Sequence, residues 1–187
     1  VVKQRSFFFA VKGRERDALR GRGTFAGRIY KVELNDNDPT APAKITCELD
    51  GDKVGGIASG FHSPDNVLVT ENYIYIQEDP NGISGKTGFA KLYQYNIETG
   101  VLRTVLECDQ DAAEAAGYGT TGSTWELTGM IDVSDITGQD DTFLLITQNH
   151  GWEPADGSAF TDPDAVAQVD LSIKEGSMLY LVKGLER

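Results

Sequence analysis

The chain has 187 residues, 40% hydrophobic and 25% charged, a composition that is typical of a globular protein with one sizeable core. Its formal net charge of −12 disfavours nucleic acid and anionic membranes as partners, and it suits hard cations such as calcium, which bind carboxylate and carbonyl oxygens. No apolar run approaches the roughly 18 to 20 residues of a membrane-spanning helix, so we expect no membrane span.

The sequence predicts ten β-strands and no convincing helix. Apolar and polar residues alternate with a period of two through nearly the whole chain, and β-branched and aromatic types are frequent. The segment 111–116 (DAAEAA) is expected to form at most one helical turn, because Gly117 follows it. In chain order, the predicted strands are 7–11, 29–34, 44–49, 66–70, 73–79, 92–97, 103–108, 130–134, 143–149 and 178–182.

The predicted strands recur in a fixed order. The second and third resemble the sixth and seventh, and the fourth and fifth resemble the eighth and ninth. Repeated four-stranded antiparallel meanders are the unit of a β-propeller, in which strands a to d run from the ring centre outward. The chain reads b-c-d, a-b-c-d, a-b-c in this scheme. The predicted fold is therefore all-β, a partial propeller ring of about three blades.

Three partial blades would leave apolar faces uncovered, because propellers close with about four to eight blades. We therefore expect residues 1–187 to form a single domain or the C-terminal part of a larger propeller domain. The remaining blades would come from a missing N-terminal portion or from another chain. A β-sandwich of about ten strands is the alternative fold. Long loops between predicted b and c strands, at 13–26, 80–89 and 151–171, favour the propeller.

Both cysteines, Cys47 and Cys108, fall on outer d strands of successive predicted blades. Their backbones should lie beyond the roughly 7 Å Cα separation that a disulfide allows. We therefore expect two free thiols.

The start of each a strand and the end of each b strand open on the same face of a propeller, beside its central channel. Their carboxylate and amide oxygens suit calcium, alone or with a harder transition metal. Each residue alone is better explained as a turn residue, except Glu126, whose apolar neighbours would make an unpaired acid costly. The oxygen-rich side chains and one imidazole gathered there are Asp65, Asn66, Glu78, Asp79, Glu126, Thr128, Asn149 and His150.

A basic loop between the first two strands would lie on the same face, and guanidinium groups bind phosphate in a bidentate manner. A solvated loop is the alternative interpretation, and for His150 the alternative is a backbone hydrogen bond. The glycine-rich segment 21–27 has no Lys-Ser/Thr pair and opens no helix, so it is not a phosphate-binding P-loop. The candidate substrate-binding residues are Arg14, Arg16, Arg20, Arg22 and His150.

Four segments, SPDNV (63–67), IYIQED (74–79), ELTGM (126–130) and TQNHG (147–151), resemble the C-terminal half of the PhoX-type alkaline phosphatase family. The resemblance covers roughly residues 27–151. It implies a propeller whose central channel holds calcium and iron and which hydrolyses phosphate monoesters. The resemblance makes Asn66 and Glu126 the best candidates for metal ligands. Glu78 and Asp79 are further candidates because of their place at the end of a predicted b strand.

The sequence departs from the family at two places. The family's second motif reads Gln-His-Pro-Gly, whereas Gln148-Asn149-His150-Gly151 shifts the imidazole by one residue, and one step along a strand reverses its side. The family's metal-binding cysteine is not matched, since both thiols lie on outer strands. Calcium is therefore the first expected cofactor and iron the second.

Three functions fit these residues. The predicted one is a metal-dependent hydrolase, periplasmic or extracellular, that acts on a small-molecule phosphate ester whose phosphoryl group is polarised by metal ions. The second is a calcium-dependent esterase or lactonase propeller with a histidine base. The third is a non-catalytic secreted binding or scaffold propeller, in which calcium only stiffens the channel.

Overall fold

The computed structural model describes residues 5–14, 23–38, 40–80, 87–116, 124–150 and 175–187. These residues form ten strands and two short helices. In chain order, the elements are β1 (Ser6–Val11), β2 (Arg28–Glu33), β3 (Lys44–Asp50), β4 (Pro64–Val69), β5 (Tyr73–Glu78), β6 (Lys91–Asn96), β7 (Leu102–Glu107), α1 (Gln110–Ala115), β8 (Glu126–Asp132), α2 (Ser134–Thr137), β9 (Thr142–His150) and β10 (Glu175–Lys183).

The strands form three separate antiparallel sheets, and none of the three closes on itself. The first sheet has the order β1-β2-β3, the second β4-β5-β6-β7, and the third β8-β9-β10. An all-β fold is thus confirmed, and the three sheets contain the strands in the groups and order that the repeat predicted. Neither helix in the described part of the chain is long or apolar enough to cross a membrane.

The internal repeat is visible in the strand registers as well as in the sequence. The pairing of β2 with β3 shifts register between Ile29 and Tyr30. The pairing of β6 with β7 shifts at the equivalent place, between Leu92 and Tyr93. The ladders of β4 and β8 shift near their starts, between Pro64 and Asn66 and between Leu127 and Gly129. A bulge inserts an unpaired residue and breaks the period-two alternation. The broken alternation explains why the sequence placed the start of β8 at residue 130, whereas the strand begins at Glu126.

The central strands of the second sheet, β5 and β6, are buried on both faces because the sheet packs between the other two. Ile74 and Ile76 of β5 join a core with Ile29 of the first sheet, whereas Tyr75, between them, packs in a core with Phe143 of the third sheet. The rings of Tyr75 and Phe143 lie 5.4 Å apart. Successive side chains of a strand point to opposite faces, so a strand with apolar residues at consecutive positions satisfies both cores.

The outward face of the third sheet, by contrast, is apolar and exposed. Leu181 lies opposite Leu144, and Leu179 lies opposite Ile146, so these side chains form a continuous ladder across β9 and β10. Leu179 is 65% exposed and Leu181 is 58% exposed. We call this surface, with Ile131 of β8, the third-sheet end face.

The outward face of the first sheet is also apolar. Phe7, Val32 and Ile45 are direct cross-strand neighbours, and Phe7 and Ile45 are 49% and 63% exposed. Phe9 stacks on Tyr30 beside them, with ring centroids 5.4 Å apart. These five residues form the first-sheet end face. The stack of three sheets therefore presents an apolar surface at each end.

The described residues form two short helices, of which one had been expected as a single turn. The α1 helix corresponds to the single turn expected at 111–116, and the Asp109 side chain caps it by accepting a hydrogen bond from the Ala112 backbone N–H at 3.1 Å. The α2 helix was missed. It has four residues and ends at Gly138, whose φ of 64° is in the left-handed region that glycine adopts readily.

The prediction of two free thiols is confirmed. Cys47 is exposed on β3, and Cys108 directly follows β7 and is half-buried. Burial, together with the neighbouring carboxylate of Glu107, raises the pKa of the Cys108 thiol to about 11.

Candidate functional site

Three carboxylates from distant parts of the sequence meet at one edge of the stack. Oxygen atoms of Asp65, Asp79 and Glu126 all lie within 4.8 Å of one another. Asp65 lies near the start of β4, Asp79 directly follows β5, and Glu126 begins β8. We call these three residues the acidic cluster. They occupy the strand starts and ends that the sequence predicted to share a face.

Asp65 enters the cluster through the bulge at the start of β4. Pro64 pairs with Glu78 and Asn66 pairs with Gln77, so Asp65 is the extra residue between two ladder positions. A bulge re-aims the side chain of its extra residue, and bulges are frequent next to functional sites. Asn66, which the family resemblance favoured as a ligand, is the next residue of β4 and is half-buried. The carboxylate measured in the cluster is that of Asp65.

Glu126 is buried, and His150 lies beside it. The distance from His150 Nε2 to Glu126 Oε1 is 3.4 Å. The indole N–H of Trp125 donates a hydrogen bond to the backbone carbonyl of His150 at 3.1 Å, which fixes the end of β9 against the start of β8. The predicted proximity of Glu126 and His150 is therefore present.

Lys12 supplies a positive charge that the sequence interpretation did not assign to this edge. Its ammonium group forms an ion pair with Asp79 and lies 3.9 Å from Asp65 Oδ2. Lys12 directly follows β1, which the repeat identified as a b strand. The rule that placed Asp79 at this edge, the end of a b strand, therefore also applies to Lys12, and the sequence already contained the signal.

Close backbone contacts hold Lys12 near the acidic cluster. A Cβ added at Gly13 would lie 2.2 Å from the Phe25 carbonyl oxygen, and one at Gly27 would lie 2.3 Å from Pro64 Cδ. Gly27 also has a φ of 103°, which side-chain-bearing residues rarely adopt. The first and second sheets thus come close together at the edge where the cluster lies, and glycine is needed there because a side chain would not fit.

The carboxylate of Glu78, the other acidic candidate at this strand end, lies outside the acidic cluster. One of its oxygens accepts a hydrogen bond from the His62 backbone N–H at 2.5 Å, and the other accepts one from the Lys91 N–H at 3.1 Å. Side chains of neighbouring strand residues point in opposite directions, so Asp79 and Glu78 cannot both face the cluster. Burial raises the pKa of Glu78 to about 7, although these hydrogen bonds act against the increase.

Asn149 is fully buried near the end of β9 rather than at the cluster surface. Its side-chain oxygen accepts a hydrogen bond from the Thr147 hydroxyl at 2.9 Å. Its side-chain nitrogen has no hydrogen-bond partner in the part of the chain that the structure describes. Asn149 is therefore a buried amide of the third sheet.

Of the four predicted substrate-binding arginines, only Arg14 lies within the residues that the structure describes. Arg14 is exposed, and its backbone N–H donates a hydrogen bond to the Thr24 carbonyl at 3.1 Å. Arg14 follows Lys12 by two residues, in the non-strand segment after β1. The predictions for Arg16, Arg20 and Arg22 concern residues outside the described ranges.

The charged side chains at this edge have a net negative charge, which favours the binding of a cation. Three carboxylates and one ammonium group give a formal charge of −2 when His150 is neutral. Oxygen ligands of this kind are those that calcium and magnesium bind, usually with further oxygens from the backbone or from water. The residues present therefore fit a hard divalent cation.

Comparisons with known proteins assign no family to the chain. No protein-family model, no curated protein sequence and no solved structure matches it.

Proposed function

We propose that the chain is part of a metal-dependent hydrolase of the β-propeller type, in which the acidic cluster binds a divalent cation. The observation that carries this proposal is the meeting of Asp65, Asp79 and Glu126 at one edge. They come from two different sheets, at the strand ends that would surround a propeller channel. The resemblance of the surrounding segments to PhoX-type phosphatases supports phosphate monoesters as the substrate class.

The propeller part of the proposal rests on the packing of the sheets. A β-sandwich has two sheets, each with one buried face. Here three sheets stack, the central strands of the middle one are buried on both faces, and both ends of the stack are apolar and exposed. A propeller blade has two such neighbours. We therefore propose that further blades, from a longer protein or another chain, cover the two end faces.

This fold proposal predicts how the chain behaves in solution. Exposed apolar ladders should make the 187-residue chain associate as its concentration rises, because association buries them. Leu181→Lys, on the third-sheet end face, should weaken that association, whereas Leu106→Lys, an exposed leucine of β7 outside that face, should not. Sedimentation velocity measures the effect. A stable, cooperatively unfolding monomer at all concentrations would contradict the incomplete ring.

In the proposed hydrolase, the residues of the chain have distinct tasks. Asp65, Asp79 and Glu126 would hold the cation, which when bound polarises a phosphoryl oxygen and lowers the pKa of water. Lys12 and Arg14 carry positive charge at or near the same edge, where it offsets negative charge that develops on a phosphoryl group. His150, oriented by Glu126 and by its backbone contact with Trp125, can accept a proton from the attacking water.

One observation favours the second candidate function, a calcium-dependent esterase or lactonase. An imidazole beside a carboxylate is the arrangement that general-base ester hydrolysis uses, and His150 Nε2 lies 3.4 Å from Glu126 Oε1. That reaction needs one metal ion and a histidine base. It does not need positively charged side chains that bind phosphate.

Turnover of paired substrates distinguishes the candidates. The chain, assembled with the blades that complete its ring, is assayed with an aryl phosphate and with the matching aryl acetate, with calcium, with calcium plus iron, and with chelator. Calcium-dependent turnover of the phosphate, lowered at least about tenfold in Glu126→Gln but unchanged in the exposed control Glu98→Gln, supports the phosphatase. Turnover of the acetate alone supports the esterase. Metal binding without turnover of either substrate contradicts both enzymes and favours a binding or scaffold protein.

A further inference from the structure

A large cavity lies between the outer strands of the second and third sheets, away from the acidic cluster. Its volume is about 820 Å³, and it is bounded by β7 and α1 on one side and by β8, β9 and β10 on the other. Voids in protein interiors rarely exceed the size of a few waters, whereas binding sites for small molecules occupy about 300–1,000 Å³. The cavity is therefore far larger than a packing defect.

The wall of this cavity is mainly apolar. Leu127 and Leu145 belong to the core between the second and third sheets and form its floor. Met178 and Leu106, at its mouth, are both partly exposed, so the cavity opens to solvent. Apolar cavities of only about 150 Å³ already bind benzene, because water gains little inside them. A cavity of this size and lining fits an apolar ligand.

The few polar groups of the cavity determine which apolar ligand fits. Glu107, which also lies 3.8 Å from the Lys91 ammonium group, and Asp109 carry negative charge at its rim. Among the described lining residues, Lys183 is the one cation, and it donates a hydrogen bond to Gln139. An anionic headgroup would therefore meet two carboxylates as well as the net charge of −12. Inside, the Thr147 hydroxyl, which donates its proton to Asn149, can still accept a hydrogen bond from a ligand, and the Cys108 thiol can make one as well.

The cavity is separate from the acidic cluster. Trp125 and Leu127, on either side of Glu126, line the cavity, whereas the Glu126 carboxylate lies in the cluster. Neighbouring side chains of a strand point to opposite faces, so the start of β8 divides the two sites.

We propose that this cavity is a binding site for a small, uncharged, largely apolar molecule that carries one hydrogen-bonding group. The site does not depend on the proposed hydrolase, and it would exist even if the acidic cluster bound no cation.

The probe for this proposal is phenylnaphthylamine, a neutral fluorophore whose sulfonated form, anilinonaphthalene sulfonate, provides a matched anion. Ala113 of α1 lines the cavity, and Ala115 of the same helix is exposed and lies outside its lining. Ala113→Phe should lower the affinity for the neutral probe at least about tenfold, because the new ring occupies the cavity, and Ala115→Phe should leave it unchanged. The sulfonated probe should show no binding that depends on residue 113.

A second readout uses wild-type chain only. Saturating phenylnaphthylamine should slow alkylation of Cys108 by N-ethylmaleimide at least about tenfold, since the thiol lines the cavity, and should not affect exposed Cys47. No binding of the neutral probe, equal binding by Ala113→Phe and Ala115→Phe, or an unchanged Cys108 rate would each overturn the site. Binding of the sulfonated probe that Ala113→Phe abolishes would overturn its preference for neutral ligands.

Discussion

Glu78 makes the stability of the fold depend on pH, and Glu78→Gln removes that dependence. The buried carboxyl has a pKa of about 7 in the folded chain, against a usual value of 4.5. Each unit between two pKa values is worth about 1.4 kcal/mol, so the difference corresponds to about 3 kcal/mol. Because the folded pKa is the higher one, this stability is fully present below about pH 4.5. It is lost as the pH rises through about 7.

The assay is urea unfolding of wild type and Glu78→Gln between about pH 5 and about pH 8.5, at one fixed protein concentration. The glutamine has one acceptor where the carboxylate has two, so the variant loses a hydrogen bond to the His62 or Lys91 N–H at every pH. That constant loss cancels in the comparison. Relative to wild type, the variant should gain up to about 3 kcal/mol over this pH range.

The control is Glu98→Gln, because Glu98 is exposed in the turn between β6 and β7. Its unfolding free energy should differ from that of wild type by the same amount at each pH. A change of less than about 1 kcal/mol for Glu78→Gln, or a change of opposite sign, would refute the reasoning. Such a result would mean that the two backbone N–H groups keep the carboxylate ionised in spite of its burial.

Three further predictions concern packing and thiol chemistry. Phe143→Ala removes a fully buried ring between the second and third sheets and should lower the unfolding free energy by about 3–5 kcal/mol, measured by urea unfolding. Gly27→Ala places a methyl group against Pro64 at a positive φ and should destabilise the junction of the first two sheets, seen as faster hydrogen exchange in β1; an unchanged rate would contradict the close contact. N-ethylmaleimide should modify exposed Cys47 before Cys108, whose pKa of about 11 leaves little thiolate at neutral pH, and mass spectrometry of peptides should show the order.

The strands could be predicted from the sequence because each carries a period-two pattern long enough to recognise. The start of β8 could not, since the bulge between Leu127 and Gly129 breaks the alternation there. The α2 helix, Ser134–Thr137, is too short to show a helical period. The exposed end faces follow from the strand count, because a chain with three sheets in a row has two outer faces whatever its loops contain.

The site was predictable to the extent that strand ends determine it. Asp65, Asp79 and Glu126 were placed at this edge by the repeat, and the same rule would have placed Lys12 there. Whether Glu78 or Asp79 joins the acidic cluster depends on which side chain faces it at the end of β5. The sequence does not show where the strand ends and the alternation of its side chains stops. The choice of Asp65 over its neighbour Asn66 depends on a bulge, which is a property of the paired strands rather than of either sequence alone.

The central claim, a cation site at the acidic cluster, is tested most directly by isothermal titration of the chain with calcium. We expect the wild type to bind, Glu126→Gln to bind at least about tenfold more weakly, and the control Glu98→Gln to bind as the wild type does. Lys12→Met should bind calcium more tightly, because it removes the ammonium group that now pairs with Asp79. Absence of calcium binding in wild type and Lys12→Met alike, or equal binding by wild type and Glu126→Gln, would contradict the claim.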